Sequence, residues 1–437
     1  MKIPSIVRTA DGKSVLLPFI LVATCFALWG FANDLTNPMV KAFSKIFRMS
    51  VADGSLVQLA FYGGYFVMAL PAALYIRRHS YKSGLIMGLA LYAIGALLFA
   101  PAATIGSYYP FLLAYFIMTC GLSFLETSAN PYILALGNPA TATRRLNLAQ
   151  AFNPIGSLLG MYVAMQYIQS RLNPMSSAER ATLDTAQFEA LKNADLSVLV
   201  APNITLGIVI AAILLCFILI PLPPCTPTAT GDLSLRATVG RLLRNKTYRQ
   251  GVVAQFFYVG AQIMCWTFII QYGTRIFMAE GMTEIQAEVL SQKYNILAMI
   301  SFCISRFICT YLMNYIKPQK LLTIFAIAAA ILTIGVICID GRAGLYCLVA
   351  ISVCMSLMFP TIYALALGQV GQDTQIGAAG LIMAILGGSV LPPMQAHIID
   401  QQTILGHPAV NISFILPLLS FIIVAMYGRK HYEGNTY

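Results

Sequence analysis

The chain has 437 residues, of which 58% are hydrophobic and only 10% are charged, whereas roughly a quarter of a soluble domain is charged. Its mean hydropathy of +0.76 extends over the whole length, which argues against a soluble enzyme, a disordered protein and a single apolar anchor. The net charge of +11 comes from 27 basic and 16 acidic residues scattered between apolar runs. Such an excess indicates the cytoplasmic face of a membrane protein rather than nucleic-acid binding. We therefore expect an all-α membrane protein with several spans.

Twelve apolar runs are long enough to cross the ~30 Å hydrocarbon core of a bilayer, which takes about 20 helical residues. The predicted spans are 15–43, 55–76, 83–105, 109–137, 145–169, 200–222, 250–274, 287–315, 319–338, 343–367, 376–399 and 408–428. A stretch that begins with prolines and ends with basic residues separates the sixth span from the seventh. The sequence therefore predicts an amino-terminal half at 1–222, a cytoplasmic linker at 223–249 and a carboxy-terminal half at 250–437.

A short internal repeat and the distribution of basic residues agree with this division. Tyr-Ile-Leu-Ala-Leu-Gly at 132–137 recurs as Tyr-Ala-Leu-Ala-Leu-Gly at 363–368, which is where a parallel duplication of six-helix halves would place it. The substrate would then lie between the halves near the bilayer midplane. If both termini are cytoplasmic, seventeen basic residues lie on the cytoplasmic side and nine on the other, as the positive-inside rule requires.

Few ionisable side chains lie within the predicted spans. Asp34 in the first span and Glu126 in the fourth are the candidate proton-coupling residues. A charge at the bilayer centre costs about 3 kcal/mol on insertion scales, so an acid at such a position usually has a function. Binding a proton neutralises such a charge, so reorientation would depend on protonation. The alternative is that either acid hydrogen-bonds a neighbouring helix or pairs with a base. Arg306 in the eighth span is expected to snorkel or to pair with an acid near the cytoplasmic side.

The other polar side chains of the spans are amides, hydroxyls and aromatic rings. This mixture favours a neutral polyhydroxyl substrate, because amides hydrogen-bond vicinal hydroxyls and a ring covers the C–H face of a sugar. For any single amide, helix packing is the alternative. The candidate substrate-binding residues are Asn33, Asn37, Asn130, Gln150, Asn153, Gln262, Trp266, Tyr294 and Phe359. Three of these asparagines precede a proline, where the amide can satisfy a carbonyl that the proline frees, or line the cavity.

Two other classes of function have less support. An intramembrane enzyme would need a nucleophile–base pair or a metal cluster, and the ten cysteines and four histidines show no spacing of that kind; we expect no cofactor and no metal. A sugar sensor that binds without transporting would usually carry a signalling tail. The segments outside the outermost spans are only about fourteen and nine residues long, which argues against a sensor.

Taken together, the motifs resemble the fucose–galactose–glucose:proton symporter family of the major facilitator superfamily. The two most specific stretches are Glu-Thr-Ser-Ala-Asn-Pro at 126–131 and Arg-Leu-Asn-Leu-Ala-Gln at 145–150, and other matches lie at 28–30, 60–66, 254–266 and 371–374. The resemblance implies the major facilitator fold, two six-helix halves around a central cavity. It also implies a monomer in a bacterial inner membrane that imports a monosaccharide, L-fucose first, together with protons. The alternatives are a glucose/galactose transporter and an uncoupled facilitator.

The resemblance also implies roles for particular residues. In the family, one acid on the first helix and one glutamate on the fourth carry proton coupling and sugar binding, and the glutamate matches Glu126. The usual first-helix pattern Asn-Leu-Asn-Asp reads Asp-Leu-Thr-Asn at 34–37, so Asn37 holds the aspartate position and Asp34 an asparagine position. These two residues share a helix face, and we hypothesise an acid–amide pair with its members exchanged. Gln150 matches a cavity glutamine, and Phe359 replaces a cavity tyrosine.

Overall fold

The computed structural model describes residues 5–9, 12–36, 39–49, 56–175, 179–180, 182–225, 234–401, 403–404 and 406–433. These residues are mainly helical, with one short antiparallel hairpin of β1 (Thr403–Ile404) and β2 (His407–Pro408). The first nine helices are α1 Leu16–Thr36, α2 Met39–Ile46, α3 Leu56–Arg78, α4 Tyr81–Leu97, α5 Phe99–Ile105, α6 Tyr108–Ala135, α7 Ala142–Gln150, α8 Phe152–Val163 and α9 Thr185–Leu219. A π-helical turn, Ala164–Gln169, follows α8.

The later helices begin inside the predicted linker at 223–249. They are α10 Leu235–Arg244, α11 Lys246–Ala279, α12 Glu284–Leu312, α13 Pro318–Cys338, α14 Arg342–Met355, α15 Met358–Leu367, α16 Thr374–Met383, α17 Gly387–Ile399, α18 Ala409–Ser413 and α19 Ile415–Glu433. The predicted linker therefore contains α10 and the first residues of α11. In the described part of the chain, ten segments are long and apolar enough to cross a membrane. The two remaining predicted spans, 55–76 and 145–169, correspond to α3 and to the interrupted α7–α8 segment.

The chain divides into two compact units. The amino-terminal unit comprises residues 15–136 and 155–227, and the carboxy-terminal unit comprises residues 1–14, 137–154 and 228–437. Helix α7 therefore belongs to the carboxy-terminal unit, although it lies within the first half of the sequence. The predicted domain boundaries at residues 222 and 250 stay a prediction.

In the amino-terminal unit, α6 packs against α3 and α4, and α4 packs against α9. Helix α8 crosses α1 very closely, because a methyl group added at Gly156 would lie 1.8 Å from the carbonyl oxygen of Ala27. Only glycine allows the two backbones to approach this far. The contact brings Ser157, the next residue of α8, to the part of α1 that contains Asp34.

In the carboxy-terminal unit, α11 packs against α12, α17 and α19, and α13 packs against α14 and α19. A methyl group at Gly387 would lie 2.0 Å from the carbonyl oxygen of Phe256, so a glycine at this position allows α17 to approach α11 closely. Helix α10 is fixed by a bidentate ion pair, in which Arg241 donates to both carboxylate oxygens of Asp373 at 2.6 and 2.8 Å. The carboxyl of Asp373 raises the pKa of Arg241 through this hydrogen bond.

Candidate functional site

Glu126 lies near the middle of α6 and is a buried carboxyl of the amino-terminal unit, with 2% of its surface exposed. The hydroxyl of Tyr65 on α3 faces this carboxyl. Among the described residues, no atom completes a hydrogen bond of normal geometry with either carboxyl oxygen or with the Tyr65 hydroxyl. A buried polar group left in this way costs about 1–3 kcal/mol of stability, so the position of Glu126 needs a functional explanation.

Asp34 lies at the end of α1 and is half-buried. The Ser157 hydroxyl contacts its carboxyl and lies 3.4 Å from the carbonyl oxygen of Gly30. Tyr62 of α3 is a further electrostatic neighbour of Asp34. Because Tyr62 and Tyr65 are three residues apart and share one face of α3, the structure brings both predicted acids near that face.

The predicted amides of the amino-terminal unit have different environments. Asn33 is half-buried on α1, directly before Asp34. Asn130 is fully buried, and its amide donates to the carbonyl oxygen of Glu126 at 3.0 Å, which fixes the backbone at the acid. Asn37 lies outside the described residues, so its exchange with Asp34 stays a prediction.

Gln262 and Trp266 of the carboxy-terminal unit lie one turn apart on α11 and share a helix face. Both side chains are half-buried. The Trp266 indole nitrogen donates to the Ser352 hydroxyl at 3.1 Å, and the indole packs edge-on against Phe302 with centroids 5.0 Å apart. An oriented ring beside an amide is the combination that a sugar requires.

Gln150, Asn153 and Phe359 lie at two helix interruptions of the same unit. Gln150 is the last residue of α7 and is buried, and Asn153 is half-buried at the start of α8. Phe359 lies in the first turn of α15, with its ring centroid 6.4 Å from Tyr258 and 6.2 Å from Tyr363. The structure thus places these three predicted residues where helical hydrogen bonding is interrupted.

The expectation for Arg306 is wrong. Arg306 is 3% exposed, so it does not snorkel, and within the described residues it has no carboxylate partner. Its Nε donates to the carbonyl oxygen of Ser356 at 2.5 Å, and one terminal nitrogen donates to the carbonyl oxygen of Gln150 at 2.8 Å. Its guanidinium also lies 4.6 Å from the ring centroid of Phe302. Backbone dipoles and a ring, rather than an acid, stabilise this charge.

Tyr294 lies apart from the other predicted residues of its unit. Its ring packs against Phe277, with centroids 5.7 Å apart, close to the ion pair of Glu280 and Arg342. Phe277 is eleven residues from Trp266 on α11, which is about 16 Å along a helix. The structure therefore does not bring Tyr294 to the level of Trp266.

Two residues with unusual environments were missing from the predicted site. Tyr65 faces Glu126, and Gln255 of α11 is completely buried, with neither side-chain atom hydrogen-bonded to a described residue. One signal could have found Gln255, since it precedes Gln262 by seven residues and so shares its helix face. Tyr65 is three residues from Tyr62, but only the tertiary structure shows which of these rings meets Glu126.

The groups brought together in the two units differ in what they can bind. Among the described residues, no cluster of histidine, cysteine and acidic side chains could hold a metal ion. A buried carboxyl can accept and release a proton, while the amides and aromatic rings suit a neutral polar molecule. The amino-terminal unit thus contains a buried carboxyl, and the carboxy-terminal unit contains amides beside aromatic rings.

Comparison with known proteins gives close relatives. The family described as Major Facilitator Superfamily matches residues 21–392. An L-fucose-proton symporter of Haemophilus influenzae is 49% identical over 426 residues, covering 96% of this chain and 98% of the relative. An L-fucose-proton symporter of Escherichia coli is 33% identical over 429 residues, covering 98% of this chain and 95% of the relative.

A solved structure is also similar over nearly the full length. The crystal structure of a Major Facilitator Superfamily transporter, FucP, in the outward conformation matches with a TM-score of 0.85 at 33% sequence identity. The match covers 95% of this chain and 98% of that one. The helices described above therefore follow the same path as those of a solved transporter.

Proposed function

Because the chain belongs to the Major Facilitator Superfamily, we propose that it is a secondary active transporter that imports L-fucose together with protons. Its architecture of twelve transmembrane helices is the fold of that superfamily. Two relatives that it matches over almost their whole length are L-fucose-proton symporters, which supports both the sugar and the coupling ion. The work of such a protein is transport across a membrane and not catalysis of a reaction.

The observation that carries the proposal is the environment of Glu126. This carboxyl is buried beside the Tyr65 hydroxyl without a hydrogen bond of normal geometry to a described residue, so burial disfavours its ionised form more than this neighbour favours it. A proton bound there removes the charge. Reorientation is then favourable for the protonated, sugar-bound protein and unfavourable for the bare carboxylate, which couples sugar movement to proton movement.

The sugar contacts in this proposal come from the amide and aromatic residues. Gln150, Asn153 and Gln262 hydrogen-bond sugar hydroxyls, while the rings of Trp266 and Phe359 cover C–H faces. L-Fucose has a methyl group where other hexoses carry a hydroxymethyl group, and apolar rings suit that methyl. Phe359 in place of a tyrosine makes the surface more apolar.

The cellular setting belongs to the same proposal. The excess of basic residues in alternate connections supports cytoplasmic termini in a bacterial inner membrane. A single chain contains both the proton-binding acid and the candidate sugar residues, which supports a functional monomer surrounded by lipid.

The test is uptake of labelled L-fucose by proteoliposomes containing the purified protein. An inward proton gradient should drive accumulation above the external concentration, and an ionophore that collapses the gradient should abolish it. Uptake that only equilibrates and ignores the gradient would identify an uncoupled facilitator. Accumulation of D-glucose or D-galactose without L-fucose would contradict the proposed sugar.

A further inference from the structure

Two carbonyl oxygens of the carboxy-terminal unit lose their helical donors to proline. In an α-helix, the carbonyl of residue i accepts from the N–H of residue i+4, and proline has no N–H. Pro154 therefore frees the carbonyl of Gln150 where α7 meets α8, and Pro360 frees the carbonyl of Ser356 where α14 meets α15. Such groups need another donor inside a membrane protein.

Arg306 of α12 supplies a donor to each of them. Its Nε bonds the Ser356 carbonyl at 2.5 Å and a terminal nitrogen bonds the Gln150 carbonyl at 2.8 Å. A guanidinium presents several N–H groups in one rigid plane, so one side chain can serve two carbonyls of different segments. A lysine ammonium lacks this planar fork, so at the same position it can reach one of the two carbonyls but not both.

The bonded segments are those that carry candidate sugar residues. Gln150 contributes its own carbonyl, and Phe359 lies three residues after Ser356, in the first turn of α15. The ring of Phe302 contacts both the guanidinium of Arg306 and the indole of Trp266. Arg306 is therefore connected to three predicted sugar-binding residues. It bonds the carbonyl of Gln150, it bonds Ser356 three residues before Phe359, and it contacts Phe302, which packs against Trp266.

Other bonds at the same interruption support a fixed geometry. The Tyr258 hydroxyl donates to the carbonyl of Met355 at 3.0 Å, and the Ser305 hydroxyl donates to the carbonyl of Val353 at 2.9 Å. Side chains of α11 and α12 thus bind three backbone carbonyls at or directly after the end of α14, those of Val353, Met355 and Ser356. Of these three, Ser356 is the one that loses its helical donor to a proline.

We propose that Arg306 is a positioning residue for sugar binding, which fixes α7 and α15 against α12 by binding the carbonyls of Gln150 and Ser356, whose i+4 helical donor is replaced by Pro154 and Pro360. The inference deepens the proposed function and rests on it, since Gln150, Phe359 and Trp266 are sugar-binding residues only within that proposal. Arg306 itself need not touch the sugar.

The first test compares Arg306→Met and Arg306→Lys with the wild type in proteoliposome transport of L-fucose. Arg306→Met should raise KM about tenfold or more with a smaller change in kcat, because the sugar residues lose their placement. The KM of Arg306→Lys should lie between those of the wild type and of Arg306→Met, since an ammonium can reach one carbonyl. Arg342→Met is the matched control, because Arg342 is an exposed arginine of the same unit paired with Glu280; its KM should equal that of the wild type. An unchanged KM in Arg306→Met would overturn the inference.

The second test restores the missing N–H groups. Combining Arg306→Met with Pro154→Ala and Pro360→Ala gives each carbonyl a helical donor again, so the combined variant should recover part of the lost affinity and of the lost unfolding temperature. If Arg306→Met alone does not fold, the combined variant should yield folded protein. A combined variant no better than Arg306→Met in both affinity and folding would contradict the proposal.

The two proposals fail in different ways. A wild-type protein that does not transport L-fucose would refute the proposed function, whereas the unfolding temperatures of the same variants would still test the binding of the two carbonyls. Wild-type transport combined with an Arg306→Met variant of normal KM would refute only the role of Arg306.

Discussion

Each unit buries a group that could be charged in the membrane, and the two groups have opposite surroundings. Glu126 has no completed hydrogen bond to a described residue, whereas Arg306 bonds two backbone carbonyls and lies over a ring. A buried polar group without a hydrogen-bond partner destabilises the fold, so its presence indicates a function. A buried charge with partners fixes the segments that it binds. On this basis we propose that the amino-terminal unit binds the proton and that Arg306 of the carboxy-terminal unit positions the sugar residues.

The largest effect is expected for a substitution of Glu126, the buried acid without a completed hydrogen bond. Glu126→Gln should abolish gradient-driven accumulation of L-fucose, since an amide cannot carry the proton, while sugar exchange across the membrane persists. Its unfolding temperature should be equal to or above that of the wild type, because no completed hydrogen bond is lost. Glu189→Gln, at a carboxyl of the same unit that pairs with Lys192, should transport normally. Full accumulation of L-fucose by Glu126→Gln would contradict the role of Glu126 in proton binding.

Asp34 provides an intermediate case, since the Ser157 hydroxyl contacts its carboxyl. Asp34→Asn should lower the accumulation ratio about tenfold, and Asn37→Asp should be tolerated if these two positions form the exchanged acid–amide pair. Accumulation ratios in the same proteoliposomes are the measurement. Normal accumulation by Asp34→Asn would mean that Glu126 alone carries the coupling.

The close contact of α8 with α1 offers a test through stability. Gly156→Ala would place a methyl group 1.8 Å from the Ala27 carbonyl oxygen, and overpacking of this kind costs about 1–3 kcal/mol. Moving α8 also separates Ser157 from Asp34, so coupling should weaken along with stability. Gly63→Ala is the control, because a methyl group there meets no atom within 4 Å. Equal unfolding temperatures for the two variants would rule out the contact.

The smallest effect concerns a compensated acid outside the membrane spans. Arg342 hydrogen-bonds Glu280 and lowers the pKa of that carboxyl below its ordinary value. Because the folded-state pKa is depressed, the stabilisation is present above the ordinary pKa of about 4.3 and is lost as pH falls through the lowered folded-state value. Glu280→Gln should therefore lower the unfolding temperature slightly at pH 7, and this difference should become smaller as the pH falls below about 4. A difference that does not shrink on acidification would have another cause.

The sequence predicted the fold well, for physical reasons. Long apolar runs define membrane spans because the bilayer thickness sets their length, and the resemblance of the motifs gave the superfamily. The interruption of the fifth predicted span into α7 and α8 was signalled by Pro154 but not predicted as a break. The placement of α7 with the carboxy-terminal unit depends on long-range contacts, which no local pattern encodes.

The site was less predictable than the fold. Glu126 could be chosen because a charge within an apolar span is costly, and it is buried as that argument requires. Arg306 was expected to snorkel or to pair with an acid, because a charge in a span is matched first with water or an opposite charge; the prolines four residues after Gln150 and Ser356 were the signal for carbonyl partners. Tyr294 has the right chemistry for a sugar but lies far along the helix from Trp266, a distance that depends on how α12 packs against α11.

Proton movement accompanying the sugar tests the central claim most directly. Proteoliposomes in weakly buffered medium are supplied with L-fucose in the absence of a preset gradient, and the external pH is recorded for the wild type and for Glu126→Gln. We predict that the medium becomes alkaline with the wild type, because protons enter with the sugar, and that its pH stays constant with Glu126→Gln. An equal alkaline shift with both proteins would contradict the assignment of proton coupling to Glu126.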